Sequence, residues 1–540
     1  MSNTFFDFVK TLKGQSNVTL MNMNDLAANS NHTNRETVHG GKAFFSNIRN
    51  RSGKESLVVG NEHVQQKNLS PYQKSMLSKL DTTLNTLRKY LEKAPLICTE
   101  RTIGSNSTFN PKCTLFLSTQ RRDNIRQAFL WANTLRRCDP TDVGPEIKLI
   151  CIPEWPEQDR QILLFPEHKL TVVLGSDYVG EVKMGFLRMA MWCAKQEGML
   201  SLHAGSKVIK ARDIDGEIKT YGMLLFGLSG TGKTTHSCHD HGLNGTGEGM
   251  EILQDDIVFL QKDGAALGTE QGFYLKTEGV TSEKQPIIYK SLASPGALFE
   301  NVMVDHQGNM ELDNLSLGSN GRAIISRDSL SPYTLDRINM PSIDQLDGLI
   351  ICFVTRRMTV LPIVSKLNIE QSAATFMLGE SIETSAGDPK RAGQSVRVVG
   401  TNPFLIGNPS DEGNWFYDFL QHHQSKIQCY LLNTGGVGEI RSQSLEGNPE
   451  VSQPSLRIAI PEMASILRGI ARGTVEWKID SEFNTETPVR VPNVDMSKFD
   501  PDKFYTKQSL AGHVKNLKLE RKEWLNKFPE LNKNISTSLS

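Results

Sequence analysis

Nine consecutive residues carry the plainest chemistry in this sequence: Gly227, Leu228, Ser229, Gly230, Thr231, Gly232, Lys233, Thr234 and Thr235. They fit G-x-x-x-x-G-K-[ST], and the apolar Met223-Leu224-Leu225-Phe226 just before them predicts a buried strand. Glycines at these positions let the backbone turn several N–H groups into one concavity, which suits a polyphosphate. Lys233 adds a charge for the β- and γ-phosphates, and the Thr234 hydroxyl is placed to ligate Mg²⁺. A helix starting near Lys233 would direct its positive end at the same phosphates. The order predicts a nucleoside triphosphate site.

Twenty-two residues past Lys233 come Asp255 and Asp256, inside the apolar run Ile252-Leu253-Gln254-Asp255-Asp256-Ile257-Val258-Phe259. One carboxylate there is the expected holder of nucleotide-bound Mg²⁺. Two in succession on a strand point to opposite faces, so each could address a different metal. His203 ends the run Met199-Leu200-Ser201-Leu202, as a core histidine or a metal ligand. His236, Cys238, His239 and His241 fall on the helix expected after the loop, and no second cluster completes a four-ligand zinc site. Arg51 with Lys54, Lys276 and Arg322 lie in turn-like settings; singly they read as surface charge, and together with the loop as a well-supplied anion site.

Elements must bring these residues together across 540 positions, long enough for two or three domains. Sixty basic residues balance sixty acidic ones, so net charge argues for neither nucleic acid nor membrane. The eight cysteines are scattered without a C-x-x-C pair, as expected of reduced thiols in a cytoplasmic protein. No apolar run approaches a membrane span and the N-terminus lacks a signal-peptide layout, so sequons such as Asn31-His32-Thr33 read as incidental.

Residues 1–39 are rich in Asn, Ser and Thr and read as a loosely ordered arm with one short helix. Residues 43–59 read as strand, basic turn, strand, and 70–94 as a helix with Met76, Leu80, Leu84, Leu87 and Leu91 on one face. Short strands are expected at 95–99, 114–118, 147–152, 161–165 and 170–175, with helices around Trp131 and over 186–195. Farther on, strands are expected at 348–354 and 428–432, with helices near 370–379, 412–423 and 510–528. The class is α/β with mixed sheets.

In order along the chain, these stretches resemble ATP-dependent phosphoenolpyruvate carboxykinase. The loop at 227–235 is similar to that family's ATP-type loop. Arg51-Ser52-Gly53-Lys54 resembles the turn whose arginine grips the substrate carboxylate, and Tyr178 with Lys183 the substrate-binding tyrosine and the segment of paired lysines. His203 and Asp256 fit the manganese ligands, and Asp255-Asp256 the tandem aspartates. Lys276 resembles a phosphate-facing lysine, Glu300 a glutamate that meets the nucleotide, Arg322 an arginine bridging substrate and γ-phosphate, and 433–441 through Arg441 the adenine-side loop.

The resemblance implies a mixed-sheet two-domain carboxykinase-like fold: a substrate-binding domain over 40–220 and a P-loop nucleotide-binding domain over 221–540. It implies ATP, Mg²⁺ and Mn²⁺ as cofactors, and decarboxylation of oxaloacetate with phosphorylation to phosphoenolpyruvate. Catalytic roles fall to Lys183, Lys233, Lys276, Arg322 and Asp255, and metal ligation to His203, Asp256, Thr234 and Lys183. A lid-like closure is expected, because an enolate open to water is protonated to pyruvate. The chain also departs from the family. Met184 stands where the second lysine, a manganese ligand, is usual; a thioether is a poor partner for a hard cation, leaving Lys183 to serve. Gln254 replaces a glycine and Gly53 a proline, and the loop after Asn433 is short. A kinase acting on another small metabolite, or a non-catalytic ATP-binding regulator, stays open as an alternative.

Overall fold

A computed structural model describes residues 3–50, 55–66, 68–157, 159–228, 230–318, 320–382, 394–443 and 449–539. It is a mixed α/β protein with several mixed sheets. An eight-stranded sheet has at its centre the strands Ile218–Gly227, Gly348–Thr355 and Ile427–Asn433, paired in parallel. Both faces of Gly348–Thr355 are covered, which is why it reads as an unbroken apolar run. A seven-stranded sheet contains Leu96–Thr102, Lys112–Ser118, Glu146–Ile152, Leu170–Leu174 and Gln161–Phe165, close to the expected strands. A five-stranded sheet joins them, with Phe273–Lys276, Arg322–Ile325 and Leu298–Glu300 beside Lys42–Phe44. No helix is long and apolar enough to cross a membrane among the described residues.

The first forty residues depart from the loose arm expected of them. Asn3–Thr11 and Met23–Ser30 are helices, and Val18–Leu20 is an edge strand of the seven-stranded sheet. The sparse apolar residues are grouped on one face: Phe5, Phe6, Val9 and Leu12 are all buried. Phe6 stacks on His168 with ring centroids 3.6 Å apart and meets Phe165 edge-on at 5.2 Å. Truncating such a ring costs about 3–5 kcal/mol, enough to order a short polar segment.

The strands on either side of Arg51 do not form a hairpin. Lys42–Phe44 pairs with Leu298–Glu300, whereas Ser56–Val58 pairs with Gln161–Phe165 in the seven-stranded sheet. The apolar run around the two aspartates is likewise two strands. Gly249–Gln254 ends in the eight-stranded sheet and Val258–Leu260 belongs to a three-stranded one, so Asp255 and Asp256 occupy the bend between them. A bend that switches sheets tolerates what a buried strand would not, two adjacent carboxylates.

Candidate active site

The strand Ile218–Gly227 delivers the glycine-rich loop to the carboxyl ends of the parallel strands, where ligands bind in open α/β sheets. A Cβ on Gly227 would lie 2.5 Å from Thr231 Oγ1 and 3.3 Å from Val354, so the strand can turn here only as glycine. The Thr231 hydroxyl donates to Leu228 O at 2.8 Å, and the Thr434 hydroxyl donates to Thr231 O at 2.6 Å. Gly230 and Gly232 take φ of +80° and +101°. The helix that follows, Lys233–Ser237, is only five residues long, shorter than the sequence pattern suggests. Ser229 lies outside the described residues, as does the whole turn of Arg51, Ser52, Gly53 and Lys54.

A cleft of about 530 Å³ opens over the loop, and Tyr178, Lys183, Met184, His203, Lys276 and Arg322 line it together with Lys233, Thr234, Asp255 and Asp256. Residues spread over 140 positions thus converge. Thr234 Oγ1 donates to Asp255 Oδ2 at 2.8 Å, while the other oxygen of Asp255 is buried with no partner. Burial pushes this carboxyl up to about 6, against the pull of Lys233 and Thr234. A hydroxyl and a carboxylate with an unused buried oxygen form an all-oxygen donor set that suits Mg²⁺.

Asp256 is held from three sides. Lys183 Nζ is 2.6 Å from Oδ2, and His203 Nε2 and Lys233 Nζ lie 3.1 and 3.3 Å from Oδ1. Burial alone would raise this carboxyl, but the two lysines hold it well below the usual range. His203 Nδ1 is 2.7 Å from the Thr401 carbonyl, which can only accept, so the proton of the neutral ring sits on Nδ1. Burial, then Lys233, lowers the histidine and keeps that neutral form. The Nε2 lone pair therefore faces a carboxylate oxygen with no proton between them, an arrangement completed by a cation. Among the described residues no cage of three or more His, Cys, Asp and Glu is present. A divalent ion here would take His203 and Asp256, with water or substrate filling its other positions.

Lys183 lies on the helix Val179–Gln196 and is fully buried. Its second partner, Glu270 at 3.0 Å, is absent from the sequence-derived site. Burial lowers Lys183, but the two carboxylates more than reverse that and keep it charged. One cation between two carboxylates leaves an excess negative charge, and burial pushes Glu270 up to about 7. Gln254 supports this residue: its side chain donates to the Glu270 carbonyl and accepts from the Glu270 N–H at 3.3 Å. The substituted residue before the aspartates thus has a place in the architecture, holding the connecting segment that carries Glu270 to Lys183. The single signal for Glu270 in the sequence was an acid six residues before Lys276.

The far wall is a network of phenols and cations. Tyr178 is buried, and its oxygen lies 2.9 Å from Asn320 Nδ2 and 3.2 Å from the Tyr274 hydroxyl. Arg322 donates to Asn320 Oδ1 at 2.8 Å and sits 5.4 Å above the Tyr274 ring. Lys276 faces the cleft paired with Glu278. Asp177 accepts from Arg126 at 2.6 Å and from the N–H groups of Asn47 and Ile48 at 2.9 Å, fastening the chain that leads toward residue 51.

Two expected nucleotide contacts lie elsewhere. Glu300 is buried behind the phenols, accepting from Val179 N–H at 2.9 Å and Tyr274 OH at 3.2 Å, with burial pushing it up to about 7. Arg441 is exposed and paired with Glu439 at 2.7 Å, outside the cleft lining. His236, His239 and His241 surround the buried Lys207, which donates to the carbonyls of His236 (2.6 Å) and His239 (2.9 Å). Burial brings this lysine down to about 7.

A family model for phosphoenolpyruvate carboxykinase matches residues 15–497. The phosphoenolpyruvate carboxykinase (ATP) of Aeropyrum pernix is 35% identical over 365 residues, 67% of this chain and 68% of that protein. Those of Rhizobium rhizogenes and Staphylococcus aureus are 27% and 24% identical, over 62% and 67% of this chain. The chain spans 56% and 64% of their respective lengths.

Proposed function

The chain belongs to the phosphoenolpyruvate carboxykinase family, and on that premise we infer that it converts oxaloacetate and ATP into phosphoenolpyruvate, ADP and CO₂. The observation that carries the reading is the convergence of Lys233, Thr234, Asp255, Asp256, His203, Lys183 and Arg322 on one cleft. The reaction breaks the bond between C3 and the departing carboxylate of oxaloacetate. The electron pair left behind forms an enolate, whose oxygen attacks the γ-phosphorus of ATP, and ADP leaves.

In this reading the loop at 227–235 cradles the phosphates with its N–H groups, and Lys233 exchanges its Asp256 contact for the β- and γ-phosphates. Thr234 and Asp255 would hold Mg²⁺, and His203 and Asp256 would hold Mn²⁺, with Lys183 able to join them only on giving up its proton. The bound cations supply positive charge where the enolate and the transferring phosphoryl group develop negative charge. Arg322 and Lys276 flank the phosphoryl path, and Tyr178, with Arg51, fixes the substrate carboxylate. Asn320 orients both Tyr178 and Arg322, so one amide sets the spacing between substrate and phosphate groups. A two-domain arrangement, divided near residue 220 and with the loop on the second domain, completes the proposal. A cytoplasmic location accords with eight free cysteines, seven of them buried.

The test is oxaloacetate-dependent ADP formation by the purified chain across Mn²⁺ concentrations. Coupled formation of phosphoenolpyruvate is expected. No oxaloacetate-dependent ADP at millimolar Mn²⁺ would overturn the reading. Phosphorylation of another small metabolite would then assign a kinase, a reading that Met184 at the metal site favours.

A further inference from the structure

Away from the cleft, the strand Leu96–Thr102 has an edge that is only partly covered. Val18–Leu20 pairs with it over Leu96, Ile97 and Cys98 alone, and the next partner on that side is Arg136, bonded to Thr102 N–H at 3.1 Å. Between these two contacts lies a cavity of about 650 Å³ that shares no residue with the active-site cleft. Arg101 lines it. This arginine is only 7% exposed, its side chain makes no hydrogen bond or ion pair among the described residues, and its Nε is buried without a partner. A buried guanidinium without a carboxylate is costly, and native proteins tolerate such a group where a ligand supplies the counter-charge.

The surroundings accumulate positive charge. Arg137, exposed at the rim of the same cavity, also has no side-chain partner among the described residues. The two acids at the cavity are committed elsewhere: Glu100 accepts from Lys13 at 2.7 Å and Lys112 at 3.2 Å, and Asp25 caps its own helix through Asn22 N–H at 3.0 Å. Of the residues that line the cavity, Lys13, Arg101 and Arg137 against Glu100 and Asp25 leave a local charge of +1. Burial, with the like charge of Arg137 adding to it, lowers Arg101, although Cys138 opposes the shift.

We propose that this cavity is a second anion site, in which Arg101 and Arg137 clasp the oxygens of a small dianion, a phosphate monoester or a dicarboxylate. Two guanidinium groups offer paired N–H donors that match both kinds of oxyanion. The proposal does not depend on the reaction assigned to the cleft.

Cys138 provides the readout. It lines the cavity and is half-buried, whereas the other seven cysteines are buried, so a small thiol reagent reports on it selectively. The full chain, with saturating Mg-ATP to fill the glycine-rich loop, is labelled in the presence of inorganic phosphate or malonate, with chloride at matched ionic strength as control. Saturable protection by phosphate, malonate or both is expected, and which of them protects assigns the ligand class. The half-protecting concentration should rise at least about tenfold in Arg137→Gln and in Arg101→Gln, the loss of one charge-assisted contact. Arg137 is exposed, so its variant folds even if Arg101→Gln does not. Lys233→Ala should retain the protection. Protection no greater than with chloride, or unchanged in Arg137→Gln, would overturn the proposal.

Discussion

Lys183 and Asp256 are joined by an ion pair of 2.6 Å, and the same ammonium group contacts Glu270 at 3.0 Å. The amine that stands nearest the proposed manganese site is therefore shared between a carboxylate in the cleft and one behind it. When Glu270 loses its proton near pH 7, the ammonium is drawn back and Asp256 is freed for a metal. Mn²⁺ affinity should accordingly rise as pH passes upward through 7. Glu270→Gln fixes the neutral state, so its Mn²⁺ affinity should fall by roughly 10–100-fold at pH 8 and lose that pH dependence. Titration of Mn²⁺ at pH 6 and pH 8 measures both effects. A variant that kept the wild-type slope would assign the dependence to another group.

Met184 lines the cleft beside Lys183 and His203. Replacing the thioether with an amine adds a nitrogen donor to a site that now offers one histidine and one carboxylate. Met184→Lys should lower the half-saturating Mn²⁺ concentration by roughly tenfold, about 1.4 kcal/mol. Unchanged Mn²⁺ dependence in the activity assay would place the metal out of reach of position 184.

Asp255 is about half protonated near pH 6 in the ligand-free protein, and a metal requires its carboxylate form. Binding of Mg-ATP at pH 6 should release protons, detected by calorimetry as a heat that varies with the ionisation enthalpy of the buffer. Affinity should fall as pH drops below 6. In Asp255→Asn the proton release should vanish and kcat should drop by about 10³-fold or more, as when a charge-stabilising group is removed from a transition state.

Glu300 governs stability. Its folded-state value of about 7 lies above the ordinary 4.5, so the folded protein binds the extra proton between those values. Stability from this group is complete below pH 4.5 and declines as pH rises toward 7. Glu300→Gln keeps an acceptor for Val179 N–H and has no proton to lose. Relative to wild type, the variant should gain up to about 3 kcal/mol between pH 4.5 and pH 8 in denaturant unfolding. Equal pH slopes would show that Glu300 is not held neutral.

His203, open as core residue or ligand, was singled out by the family resemblance alone, whereas the glycine-rich loop and the aspartate pair were legible because each is a local pattern whose chemistry follows from residue order. The strands at 112–118, 146–152 and 161–165 were legible for the same reason, as short apolar runs between turns. Glu270 and Gln254 were not, because their role depends on the connection between Ala266–Gly268 and Phe273–Lys276 reaching Lys183 from 87 residues away. One short helix was expected in the first forty residues, but their ordering was hidden by polar composition, since it depends on Phe5 and Phe6 docking against a sheet formed later in the chain. Glu300 illustrates the opposite problem: its sequence context points toward the nucleotide, while its side chain turns to Val179 and Tyr274.

The strand Lys42–Phe44 has its parallel partner at Leu298–Glu300. On a ribosome, that edge must wait unpaired while roughly 250 further residues are made, and closing so long a loop slows folding. Until then it is an apolar strand edge exposed to any neighbouring chain. The protein is most vulnerable to aggregation during synthesis, through the segment that leads toward Arg51.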